Sequence, residues 1–306
     1  MTDCNQILLI SLSNIGDAVM TTPVLQALHT RFPGTEIDIV GDQRSSDIFV
    51  NCPYRGEIIH KEKRLFLRGG PALIKRLRLQ KYDLIVDLRT DGLAWLLRAR
   101  KRLTRWQCMP YGPHAVEQHM GVIYQLHGDA QIPDCCVWTG TAEEDFAAEA
   151  LGKNWGKKIL SLGPGANWPG KIWPYRNYLD LIESLKDRFD AVVLLGDRKD
   201  QEISAVIAET SVLPCMDFCG KTSLLQAAGI LKQTALFVGN DSGLGHLASG
   251  VHIPTITVFG IGSPERYRPW GNKAIWLTGE NQKIENITVN HVAECVENYF
   301  DGKTTV

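Results

Sequence analysis

Asp17 is the first residue that could do chemistry. It stands directly after Gly16 in the stretch SLSNIGDAVMTTP, where the apolar run ILLI gives way to a helical pattern. A carboxylate at a helix start accepts amide hydrogen bonds as a cap, or, turned outward, takes a proton from a nucleophile as a general base. The residue types leave both open. A second cluster follows residue 160. The stretch LGPGANWPGKIWP has glycines at 163, 165 and 170 and then Lys171, so a tight loop can expose backbone amides while a cation neutralises a diphosphate. The third cluster is VGNDSGLGHLASG, residues 238–250. Asn240, Asp241 and Ser242 offer N-cap side chains, and the small residues behind them let an anion approach the helix amides, a dipole interaction of about 0.3–2 kcal/mol. His246 lacks the spacing of a metal ligand, since no second histidine lies three or four residues away.

Such residues need a scaffold, and short apolar runs alternating with helical patterns supply one. The alternation predicts an α/β chain with strands over 7–12, 36–41, 57–60, 84–88 and 102–107, then over 158–165, 191–196, 235–241 and 254–260. Met20, Val24 and Leu28 form one helical face; Pro23 is awkward in a helix that begins at Gly16 and comfortable at the first helical position behind a Thr22 cap, which leaves the boundary open. LIKRLRLQKY and LLRARKR read as two basic helices. An acidic helix ending at Leu151 leads into GKNWGKK, which reads as a linker, and Val292, Val296 and Tyr299 line one face of a terminal helix over 289–300. Two Rossmann-like, doubly wound parallel-sheet domains around a cleft follow, with ligands at the carboxyl ends of the strands.

Composition narrows the function classes. With 306 residues, 44% hydrophobic and 22% charged, the chain has enough apolar surface for two packed domains. The net charge of -1 gives no global field for nucleic acid. Eight cysteines without a Cys-x-x-Cys pair, behind the polar start MTDCNQ, point to buried thiols in a reducing cytosol. No apolar run reaches the roughly 20 residues that span a bilayer. Between Lys61 and Arg105, however, fourteen Lys and Arg face four Asp and Glu. That is either a solvated face or an attraction for an anionic partner, either phosphorylated or on a membrane surface.

Three further motifs fail on inspection. CGKTS lacks the glycine that a phosphate loop needs at position 215, where this chain has Cys215. The first strand is not followed by Gly-x-Gly-x-x-Gly, which disfavours a nicotinamide dinucleotide. No two aspartates lie two apart, so the Asp-x-Asp with which many sugar-nucleotide enzymes hold a divalent metal is absent.

Taken together, SNIGDAVMTTPVLQALHTRFPGTEIDIV, PGANWPGKIWP and VGNDSGLGHLASG followed by PTITVFGIGSPERYRPWG resemble the ADP-heptose lipopolysaccharide heptosyltransferases, glycosyltransferase family nine. The resemblance spans most of the chain and implies the GT-B fold, two Rossmann-like domains facing across a cleft. It implies an acceptor-binding domain over 1–152, an ADP-sugar-binding domain over 153–288, and a C-terminal helix over 289–306 that packs back on the first domain. The implied reaction is inverting transfer of heptose from ADP-heptose to a lipopolysaccharide inner-core sugar, without an essential metal or other cofactor. Asp17 becomes the general base and Lys171 the stabiliser of the leaving diphosphate. Asp241 meets the heptose hydroxyls, while Ser242, Gly243, Leu244 and His246 face the phosphates. Asn167 stands where some members carry a hydroxyl residue near the phosphates. Asp200, with Glu202 as the alternative, would hold the ribose, and Thr222 would lie near the adenine. Lys63, Arg64 and Arg68 suggest contacts to anionic core sugars or lipid phosphate. Two other readings remain: a GT-B enzyme using another nucleotide-sugar donor or acting as a sugar-nucleotide epimerase, and a non-catalytic nucleotide-sugar-binding protein.

Overall fold

The computed structural model describes residues 4–61, 70–89, 92–109 and 111–303. Contacts divide the chain into two units, Met1–Trp138 and Thr139–Val306, each with its own sheet. In the first, β1 (Ile7–Ile10), β2 (Ile37–Gly41), β3 (Arg55–His60), β4 (Tyr82–Asp87) and β5 (Ala99–Thr104) run parallel in the order β3-β2-β1-β4-β5. β1 is buried at every residue because neighbours flank it and both sheet faces are covered, hence its unbroken apolar run ILLI. The connections carry α1 (Ile15–Val19), α2 (Thr22–Arg31), α3 (Gly70–Leu77) and α4 (Leu93–Leu96), followed by α5 (Ala115–Val122) and α6 (Tyr124–His127). Leu8, Ile10, Val40, Ile59 and Ile85 pack with Leu77, Leu93 and Leu97 into a core.

Two expectations change here. The helix after β1 is broken into two: α2 takes Thr21 as its N-cap, Thr22 is already helical, and Pro23 occupies the first turn, where its missing N–H costs nothing. Thr21 and Thr22 return their hydroxyls to the carbonyls of Ala18 and Val19, both at 2.7 Å, which satisfies the end of α1. The segment LLRARKR is not a helix, since residues 99–104 form β5. This is an edge strand, and its Lys and Arg side chains are the charged residues by which edges avoid pairing with other chains.

The second unit begins with α7 (Thr141–Leu151), then β6 (Ile159–Gly163), α8 (Tyr175–Ser184), β7 (Ala191–Leu194), α9 (Gln201–Thr210), β8 (Cys215–Asp217) and α10 (Leu224–Lys232). It continues with β9 (Leu236–Asn240), α11 (Gly243–Gly250), β10 (Thr255–Phe259), α12 (Pro264–Tyr267), β11 (Ala274–Thr278) and α13 (Val289–Phe300). The strands run parallel in the order β11-β10-β9-β6-β7-β8. Both outermost strands, β8 and β11, escaped the sequence reading. β8 is a half-buried CMD, and β11 leaves Trp276 exposed, so neither carries the apolar run of a central strand.

Packing also places the division between units at Trp138 and Thr139 rather than after residue 152. Helix α7 lies on α10, where Gly229 allows the Glu143 backbone a close approach that a side chain would block. Helix α13 packs on α8 and buries Val292, Cys295 and Val296 in the second unit's core. That core also holds Leu160, Leu162, Val192, Val238, Ile256 and Val258 from four strands. Among the described residues no helix is long and apolar enough to cross a membrane.

Candidate active site

In open parallel sheets, ligands bind beyond the carboxyl ends of the strands, where the strand order reverses. In the second unit that point lies between β6 and β9. The loop after β6 carries Lys171, the turn after β9 carries Asp241, and the two meet: Lys171 Nζ lies 2.5 Å from Asp241 Oδ2. Their side chains are only 30% and 10% exposed, which limits solvent screening of the pair.

Asn240, the last residue of β9 and fully buried, fixes the loop. Its Nδ2 donates to the carbonyl of Pro164 at 2.8 Å, and its Oδ1 accepts from the Trp173 backbone N–H and from the Tyr178 hydroxyl, both at 3.0 Å. Trp173, also fully buried, donates its indole N–H to the Ile287 carbonyl at 2.9 Å. Sequence reasoning counted Asn240 among candidate caps; the structure makes it the clasp of the loop instead. A second missed residue is Lys199, whose Nζ donates to Asn167 Oδ1 at 2.5 Å and to the Ala166 carbonyl at 3.2 Å. Its signal in the sequence was a lysine within GDRKDQE, visible but not assignable without the fold.

Ser242 is the N-cap of α11, yet its side chain makes no capping bond, and among the described residues its buried Oγ has no partner. Gly243 and Leu244 open the helix, so their amides belong to the unbonded first turn. One turn further, His246 is 6% exposed, and its buried Nδ1 likewise has no partner among the described residues. Burial, and secondarily the Lys171 charge, push its pKa down to about 4, so the imidazole is neutral at ordinary pH. Two orphaned polar atoms beside a lysine and free helix amides are the arrangement that an oxygen-rich anion completes.

Asp200 has a different setting. It is 6% exposed and closes a capping box, accepting from the Asp197 backbone N–H at 2.8 Å. Gly165 presses so closely on its carboxyl that a Cβ there would collide with it. Burial raises the Asp200 pKa above the usual carboxylate range. Glu202, in the first turn of α9, is exposed. Thr222 is half-buried beyond β8, just before the Ser223 cap of α10.

In the first unit the strand order reverses between β1 and β4, and Asp17 sits beyond the end of β1. Among the described residues its carboxylate accepts from no helix amide; Oδ2 accepts from the Asn14 side-chain amide at 2.8 Å. The same edge carries charged residues that the sequence did not single out. Arg89, after β4, donates its guanidinium to Ser13 Oγ and its backbone N–H to Asp87 Oδ1 at 2.9 Å. Lys61, after β3, is 4% exposed, and burial together with the Arg89 charge pulls its pKa down to about 8. Asp42, after β2, is gripped by Arg44 through two bonds of 2.8 and 3.0 Å, which hold its pKa below the usual range. Lys63, Arg64 and Arg68 lie outside the described residues. Among the described residues no three His, Cys, Asp or Glu side chains are grouped to hold a metal ion.

The sequence profile described as Glycosyltransferase family 9 (heptosyltransferase) matches residues 92–297, more than half of the chain. The chain belongs to this family. Lipooligosaccharide heptosyltransferase 2 of Haemophilus ducreyi is 25% identical over 308 residues, covering 88% of this chain and 87% of that protein. Among solved structures, ADP-heptose lipopolysaccharide heptosyltransferase II of Escherichia coli superposes with a TM-score of 0.81 at 24% identity, covering 97% of this chain and 99% of that one. A family 9 glycosyltransferase from Veillonella parvula superposes with a TM-score of 0.88 at 19% identity, covering 99% of each chain. The fold is therefore that of the GT-B heptosyltransferases, and the protein is a family 9 glycosyltransferase.

Proposed function

We propose that this glycosyltransferase moves a heptose from ADP-heptose to a sugar of the lipopolysaccharide inner core, with inversion at the anomeric carbon. The observation that carries the donor half is the Lys171–Asp241 pair at the β6/β9 switch point, beside the orphaned Ser242 Oγ and His246 Nδ1. A diphosphate would take the Lys171 ammonium, the amides of Gly243 and Leu244, the Ser242 hydroxyl and the His246 ring. Asp241, released from the lysine, would then accept from the heptose hydroxyls. Lys171 offsets the charge that builds on the departing ADP, and Asn167, tied to Lys199, borders the same loop.

The ribose is assigned to the turn at Asp197–Glu202. Asp200 spends its carboxylate on that turn, so the exposed Glu202 is the group available to a ribose diol there. Thr222 belongs to the adenine end. Asp17 takes the proton of the acceptor hydroxyl as that oxygen attacks the anomeric carbon from the side opposite ADP. Its freedom from helix amides supports a base rather than a cap. The basic segment, including Lys63, Arg64 and Arg68, is assigned to the acidic, lipid-linked acceptor at the cytoplasmic membrane surface. The names of the similar proteins, which state ADP-heptose and lipopolysaccharide, support donor and acceptor alike.

The test is product formation from ADP-heptose and a truncated lipopolysaccharide acceptor, with calorimetry of ADP, UDP and GDP alongside. Transfer in the wild type and a loss of about 100- to 10,000-fold in Asp17→Ala, with ADP still bound, is the expected result. Tight UDP binding without ADP binding overturns the donor, and unchanged turnover in Asp17→Ala overturns the base.

A further inference from the structure

We propose that Asn14 is a positioning residue, which holds the Asp17 carboxylate in the orientation that receives the acceptor proton. The inference rests on the reading of Asp17 as the base. Asn14 stands at the N-cap of α1 with an extended backbone, φ -85° and ψ 153°. A side chain of its type at that position ordinarily accepts an amide of the first turn. Here it makes no such bond, and its Nδ2 donates to Asp17 Oδ2 at 2.8 Å.

The chemistry of the pair suits a base. A carboxylate needs one oxygen to collect a proton, so the other can be tethered without loss. Among the described residues Oδ1 of Asp17 has no hydrogen-bond partner. The tether is a neutral amide, which fixes the rotation of the carboxylate and cannot compete for the proton. Asn14 is exposed, and a hydrogen bond between exposed side chains adds little to stability, so orientation is the benefit it can deliver.

The turn that carries Asn14 is itself anchored. Arg89 grips Ser13 through its guanidinium and the Asp87 carboxylate through its backbone N–H. Ile10 pairs with Asp87 in the β1/β4 register, so this line of contacts begins on the two strands that flank the switch point. From there it runs through Arg89 and Ser13 to Asn14 and Asp17.

Four variants test the idea: Asn14→Asp, Asn14→Ala, Asn14→Ser and, as reference, Asp17→Ala. Each is assayed for transfer from ADP-heptose to the truncated acceptor, with melting temperature and ADP affinity measured alongside. Asp matches Asn in shape and as an N-cap but, ionised, cannot donate, so Asn14→Asp is expected to lose about 10- to 100-fold in kcat with stability and ADP affinity unchanged. Asn14→Ala should lose about tenfold, and Asn14→Ser, which keeps a donor, should recover part of that loss. Wild-type kcat in Asn14→Asp overturns the proposal. So does a loss of kcat in every variant that is matched by falls in melting temperature and ADP affinity, because that assigns Asn14 to the fold. Wild-type turnover in Asp17→Ala is a separate failure, that of the base itself.

Discussion

Lys171, Asn240 and His246 show what single residues contribute at this site. Lys171 balances Asp241 in the free protein, and on the proposed function it would balance the diphosphate in the complex. Lys171→Ala is therefore expected to cut kcat by about 100- to 1,000-fold while leaving an uncompensated Asp241, and rapid-quench or coupled ADP-release kinetics will show whether it does. Asn240 serves two donors and a carbonyl from a fully buried position. Asn240→Ala leaves those groups unsatisfied, a cost of about 2–4 kcal/mol in urea unfolding, and a change under about 0.5 kcal/mol would remove its role as the clasp. His246 links stability to pH. Its folded pKa of about 4 lies below the ordinary value near 6.5, so the unfolded state binds the extra proton between those values. The stabilisation is full above about pH 6.5 and fades as pH falls toward 4, by up to about 3 kcal/mol. Unfolding free energies at pH 7.5 and 5 should fall less steeply in His246→Asn than in the wild type. Equal slopes would contradict a buried neutral imidazole.

At the scale of elements, the site depends on strands that end where chemistry begins. β6 and β9 are covered on both faces, so each reads as an unbroken apolar run that stops at a glycine or a polar residue, and both were visible in the sequence. β8 and β11 were not, because an edge strand is partly solvated and its pattern is set by what covers it. The two helices between Ile15 and Arg31 illustrate a different limit. Periodicity marked the face of Met20, Val24 and Leu28, but only the local bonds of Thr21 and Thr22 decide that one helix ends and another starts between them. α13 completes the second unit's core through Val292 and Val296, both fully buried. Val296→Ala is expected to cost about 1.5–3 kcal/mol in equilibrium unfolding, from two lost methyl groups and the cavity they leave. A value near zero would mean that α13 is only a surface strap.

For the whole molecule, the distribution of charge matters more than its total. The chain is nearly neutral, yet the first unit carries the basic excess between residues 61 and 105, with Lys75 and Arg78 exposed on and just after α3. On the proposed function a lipid-linked acidic acceptor would make that asymmetry useful, since each Lys or Arg near an anionic surface adds about 1 kcal/mol of attraction that salt screens. Sedimentation with vesicles containing anionic lipid should retain the protein at low salt and release it at high salt, and Lys75→Glu with Arg78→Glu should weaken retention. Equal recovery with neutral and anionic vesicles would remove the membrane-surface assignment.

The amino-acid sequence determined the alternation of buried strands with amphipathic helices, the two sheets, and the positions where polar residues follow strand ends. Those properties follow from local periodicity and from the chemistry of Gly, Pro and the capping residues, which act over a few positions. Tertiary structure alone decided the partners. Lys171 and Asp241 are seventy residues apart and meet because β6 and β9 are neighbours in the sheet. The packing of Asp200 against Gly165 could not be read from the sequence, and Asn240 appeared as a cap until the loop it clasps came into reach. Asp17 shows both limits at once. Its place after Gly16 at the end of the first strand was legible, but whether its carboxylate capped a helix or stood free depended on Asn14, whose amide could bond in either direction until the fold oriented it.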